Sequence, residues 1–146
     1  MAVNFNHTIV SARDSKKSAT FLAEILDLPG PTRWGPFEVV RTDNEANIDF
    51  MTVEGAIATQ HYAFLVGEAE FDAIFGRVRA RGLNYWADPA QSRQGEINHH
   101  DGGRGFYFED PDGHLLETSP APMAAAAGIP SADSRAAHWR SAVPQA

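Results

Sequence analysis

One order of elements is written twice along this chain, and that repeat constrains its fold more than any single motif. The first copy opens with a strand over residues 3–9, in which Val3, Phe5, His7 and Ile9 alternate onto one face. The spacing predicts a helix from Ser15 to Leu28. Asp14 or Ser15 can cap it, Phe21, Leu22, Ile25 and Leu26 form its apolar stripe, and Leu28-Pro29-Gly30-Pro31 stops it. A short strand at Thr32–Trp34 and a hairpin of Phe37–Thr42 with Asn47–Val53 complete the copy, turning at Asp43-Asn44-Glu45.

The second copy runs through a strand at His61–Val66 and a helix from Glu68 to Arg81, striped by Phe71, Ile74, Phe75 and Val78 and ended by Gly82. A short strand near Asn84–Ala87 and a polar loop over residues 88–104 follow. Strands at Gly105–Glu109 and Leu115–Ser119 close it, joined by the turn Asp110-Pro111-Asp112-Gly113. Residues 1–119 therefore read as one α+β domain of two modules, divided near residue 60. Residues 120–146 change character. Pro120-Ala121-Pro122 and the alanines 124–127 resemble a linker, and residues 131–140 can form a short helix.

Three residues stand out against this frame. His7 and His61 lie in the first strand of each module, and Glu117 lies in the last strand of the second. The gaps between them, 54 and 56 residues, are nearly equal, as matched positions in two modules would produce. Two imidazoles and one carboxylate that leave coordination positions open are the donor set of a catalytic, non-haem metal site. A carboxylate facing an interior is costly without a partner. The non-catalytic alternative for Glu117 is a salt bridge to an arginine such as Arg104. Asp49 alternates with Met51 and Val53 and can also face inward.

Composition narrows the chemistry further. There are no cysteines among the 146 residues, so disulfides and thiolate ligands or nucleophiles are excluded, and any metal is held by nitrogen and oxygen. The excess of 19 acidic over 12 basic residues argues against nucleic-acid binding and gives no support for an anionic membrane surface. No run approaches the roughly 20 apolar residues of a bilayer span, and nothing marks the chain for export. The expectation is a cytoplasmic protein acting on a small molecule.

The three residues, together with Phe106-Tyr107-Phe108-Glu109-Asp110-Pro111-Asp112-Gly113-His114-Leu115-Leu116-Glu117, resemble the vicinal oxygen chelate superfamily of glyoxalases, bleomycin-resistance proteins and type I extradiol dioxygenases. The resemblance covers roughly residues 3–119. It implies paired βαβββ modules forming an open, barrel-like mixed sheet around a divalent metal held by His7, His61 and Glu117, often with the site completed across a homodimer.

Asn98-His99-His100, Phe106-Tyr107, Asp110-Pro111, Gly113 and Glu117 are similar to the narrower extradiol signature, which implies Fe(II) and catalytic roles for His100 and Tyr107. One element of that signature is absent. Those enzymes carry an acid–base histidine shortly before the second metal-binding one, and residues 47–60 contain none.

The leading functional expectation is a metal-dependent enzyme, leaning to ring-cleaving oxygenation of a catechol-like substrate, with Fe(II) and with His100 or Tyr107 managing protons. A lyase, isomerase or thiol transferase using Zn, Ni or Mn is the second expectation, with Asp49 as a fourth ligand in its glyoxalase-like form. A phosphonate-binding transferase would want lysines, and the second half has none. A metal-free drug-sequestering protein is the third. Arg104 is available for an anionic substrate, and Trp34, Phe37, Phe50, Tyr62 and Trp86 offer aromatic surface of which part can stack on a planar ligand. His114 supports its turn and stays outside the site.

Overall fold

The computed structural model describes residues 2–100 and 103–120. The expected tail helix at 131–140 lies outside the described residues. Ten elements follow in order: β1 (His7–Ala12), α1 (Ser15–Leu26), β2 (Thr32–Trp34), β3 (Phe37–Arg41), β4 (Asn47–Thr52), β5 (His61–Leu65), α2 (Glu68–Ala80), β6 (Tyr85–Trp86), β7 (Phe106–Glu109) and β8 (Leu115–Ser119). The strands form two four-stranded sheets of equivalent topology, β1-β4-β3-β2 and β5-β8-β7-β6. In each, the first strand pairs in parallel with the last, and the remaining pairs are antiparallel. The two sheets are not closed into a barrel.

Local chemistry accounts for the helix ends. Asp14 caps α1 by accepting from the Lys17 backbone N–H, and Asp27 ends it in the left-handed conformation, donating back to the Ala23 carbonyl. The second helix carries Glu68 and Glu70 in its first turn and Arg77 and Arg79 in its last, complementing the helix dipole. Gly82, at φ +64°, makes the turn that follows.

Strand alternation sorts each sheet into two faces. Val10, Ala12, Val40, Ile48 and Phe50 of the first sheet join Leu22 and Ile25 of α1 in the core, and Phe106, Phe108 and Leu116 of the second join Phe71, Ile74 and Val78 of α2. These residues form one cluster, so the two modules share a core on their helix-facing sides. The opposite faces are uncovered. Ile9, Trp34 and Leu65, all on those faces, are large apolar side chains left exposed.

Polar contacts fasten the modules together at the turn after β7. His114, 1% exposed, holds the β1 carbonyl of Ser11 through Nε2 at 2.7 Å and accepts the Gln60 N–H at Nδ1 at 3.0 Å. Both bonds are satisfied when the ring proton sits on Nε2. Asp112 accepts from the Arg13 N–H (3.0 Å) and the Ser18 hydroxyl (2.7 Å) at the start of α1. Asp110 accepts the N–H groups of Asp112 and His114, while burial pushes its carboxyl above the ordinary aspartate value. His114 thus does more than support its own turn: it joins module two to module one.

Candidate metal centre

On the uncovered face of the second sheet, register places Ala63 opposite Glu117 and Tyr107 opposite Glu117 on its other side. His61, two residues before Ala63, shares that face. Its Nε2 lies 3.0 Å from Glu117 Oε2. The carboxylate side chain is only 7% exposed, whereas the imidazole is 43% exposed, so the pair is rooted in the sheet and open on one side. Two neighbouring ligands, each about 2.1 Å from a six-coordinate cation, are about 3 Å apart. The observed separation therefore suits a shared cation.

Tyr107 completes this cluster. Its ring meets His61 edge-on, with centroids 5.7 Å apart, and its hydroxyl is hydrogen-bonded to Glu117. Burial first, then the negative charge and hydrogen bond of Glu117, pushes its phenol up to about 12. At neutral pH Tyr107 is a firm hydrogen-bond donor to the carboxylate.

His7 occupies the equivalent position on the first sheet, but it does not join this pair. It is exposed, and its Nδ1 donates to Asn6 Oδ1 at 2.6 Å. Among the described residues, no three metal-ligating side chains come together within one chain. The β1–β4–β3 register sets His7 beside Asn47, Asp49 between Ile9 and Val39, and Met51 between Ser11 and Phe37. Trp34 extends this face at its edge, 71% exposed and stacked on Phe37 with centroids 6.2 Å apart and planes 14° from parallel.

The structure thus brings together His61, Tyr107 and Glu117. His100 sits in the exposed loop before β7, where its backbone N–H approaches Asn98 Oδ1 at 3.5 Å. No hydrogen bond or ring contact among the described residues joins its imidazole to the pair. Arg104 has neither of its expected roles. It pairs with Glu68 and with Asp72 (2.7 Å) on α2 and lies over the Phe71 ring at 4.3 Å. Phe50 and Tyr62 lie on the helix-facing sides and pack in or against the core. Asp49, which its alternation with Met51 and Val53 marks as able to face inward, is 7% exposed, and among the described residues its Oδ1 has no hydrogen-bond partner.

Comparison with known proteins fits this geometry. Residues 4–118 match the model of the Glyoxalase/Bleomycin resistance protein/Dioxygenase superfamily. The chain is 59% identical to the solved structure of the oxidase ChaP-H1, with a TM-score of 0.82 over 83% of this chain and 98% of that one. It is 56% identical to the oxidase ChaP-H2, with a TM-score of 0.83 over 85% and 98%. It is also 31% identical to the glutathione transferase FosA of Serratia marcescens, over 86% of each chain.

Proposed function

We propose, for a chain that belongs to the Glyoxalase/Bleomycin resistance protein/Dioxygenase superfamily, an oxidative metalloenzyme acting on a small aromatic molecule with two vicinal oxygens. Members of this superfamily are metalloenzymes that use divalent metals. The observation that carries the reading is the His61–Glu117 pair, 3.0 Å apart on an uncovered sheet face. The greater identity to the two oxidases than to the transferase favours oxidation over thiol transfer. So does the binding of Arg104 to α2, which removes a cation that a phosphonate pocket would use.

In this reading the site is made by two copies of the chain. His61 and Glu117 come from one, and His7 comes from the other. The exposed Ile9 and Leu65 lie on the same faces as these ligands, so pairing the faces would bury them together. When bound, a divalent metal, Fe(II) by preference, supplies Lewis-acid stabilisation of a diol anion and coordination positions for the diol and dioxygen. Tyr107 holds the Glu117 carboxylate in place with its one O–H, and its phenol oxygen can accept from a substrate hydroxyl. His100, on the loop before β7, is the second candidate proton carrier. The exposed Trp34–Phe37 stack gives a planar substrate a surface to lie on.

The test is elemental analysis of anaerobically prepared protein beside His61→Ala. About one equivalent of iron per chain, lost in the variant, together with oxygen uptake on catechols, is the expected result. Manganese, zinc or nickel lost in the same way would transfer the assignment to lyase or thiol-transferase chemistry. If neither protein takes up any of these metals, the metalloenzyme reading fails.

A further inference from the structure

We infer that Asp49 is the residue that selects the substrate, by accepting a hydrogen bond from a third hydroxyl beyond the vicinal pair; this inference rests on the metalloenzyme reading above. Asp49 is more than nine-tenths buried, and among the described residues no donor reaches its Oδ1. A carboxylate in that state is costly to the fold. It persists most readily where a ligand supplies the missing donor. The arginines of the same sheet, Arg33 and Arg41, are committed to Glu38 and Glu45.

Its placement fits that role. The flanking Ile48 and Phe50 point into the core, so Asp49 faces the same side of the sheet as His7. It lies one strand across and two residues along from His7, which puts their backbones about 8 Å apart. A ring whose vicinal oxygens sit at the metal ligands can reach this carboxylate with a further polar substituent. The neighbours across the sheet, Ile9 and Val39, offer no competing donor side chain. The substrate class that matches is a polyhydroxylated aromatic, bound with its plane toward the Trp34–Phe37 edge. Asp49 stands to His7 as Glu117 stands to His61, one strand across and two residues along, so the backbone also permits ligation, and the test separates the two roles.

The matched probes are benzene-1,2,4-triol and 4-methoxycatechol, which differ by a methyl group on the third oxygen. Their binding is measured anaerobically by tryptophan fluorescence on Fe(II)-loaded wild type, Asp49→Leu and Asp49→Asn, beside metal content and thermal unfolding. Wild type is expected to prefer the triol by about tenfold or more, because the ether leaves the carboxylate unpaired. Asp49→Leu should bring that preference within about threefold, keep its metal, and melt no lower than wild type. Asp49→Asn should lie between.

Equal binding of both probes by wild type, or binding of neither, overturns the inference. An unchanged preference in Asp49→Leu does so as well. Loss of metal in both variants would make Asp49 a ligand, and a lower melting temperature in both would make it structural; either result also overturns it. Wild type that holds no metal sinks the enzyme assignment itself, a result distinct from metal retained with unaltered discrimination.

Discussion

The two sheets share topology and connectivity, yet their uncovered faces carry different chemistry. The second face has a finished cluster: a buried carboxylate, an imidazole 3.0 Å from it and a phenol hydrogen-bonded to it. The first has parts without partners: an exposed His7, a buried Asp49 with an unpaired oxygen, and exposed Ile9 and Trp34. Duplicated modules diverge in this way when one supplies an anchored half-site and the other supplies what completes it. Under the proposed reading a single chain is half of a functional unit, with its two faces on separate sheets.

The largest effect that breaks or upholds this comparison is complementation between defective chains. His7→Ala and Glu117→Ala should each hold almost no metal. Unfolded together and refolded, they should recover about a quarter of wild-type metal content. Half of the dimers are then mixed, and each mixed dimer contains one intact site of two. A site built within one chain would show no recovery. The faces themselves can be broken by Leu65→Asp, which places a charge on a residue 69% exposed in the single chain. It should leave the fold of one chain intact while shifting sedimentation toward monomer and lowering metal affinity by at least about tenfold.

Much of this architecture is legible in the sequence, because alternation and helical stripes report which face of each element meets the core. Helix α1 starts at Ser15 as its cap predicts, and β8 spans Leu115–Ser119 as read. The stripe overran the helix ends by one or two residues, where Asp27 and Arg81 already act as caps. Contacts between distant strands were not legible. Glu117 reads as needing a partner, but only the β5–β8 register shows that His61 is that partner and Arg104 is not. The same limit hid His114. As a residue after a turn it looks local, while its two bonds run to residues 103 and 54 positions away.

That staple gives the next contrast, between stability and ligation along one short segment. His114 and Glu117 are three residues apart, yet one faces the shared core and the other the open side. His114→Ala should cost about 2–4 kcal/mol in denaturant unfolding, since it strands the Gln60 N–H and the Ser11 carbonyl and opens a void. Metal bound per folded chain should stay near wild type. Parallel loss of metal and stability would mean that the two sides of the segment act as one.

The smallest effect concerns Tyr107, and it sharpens the description of the finished face. Its phenol is pushed up from 10.0 to about 12 in the fold, by burial first and by Glu117 next. The folded chain therefore keeps this proton more tightly than the unfolded chain does. The resulting stabilisation is complete below pH 10 and is lost as pH rises from about 10 to about 12. Ultraviolet titration should show Tyr107 ionising late beside Tyr62, which burial and Asp110 also push up, and Tyr107→Phe should remove its share of the late step. The variant should also flatten the alkaline fall in stability across that window while changing the melting temperature at neutral pH only slightly. A Tyr107→Phe protein that loses stability between pH 10 and 12 as steeply as wild type would show that the phenol and Glu117 are not coupled. The anchored half-site would then reduce to His61 and Glu117 alone.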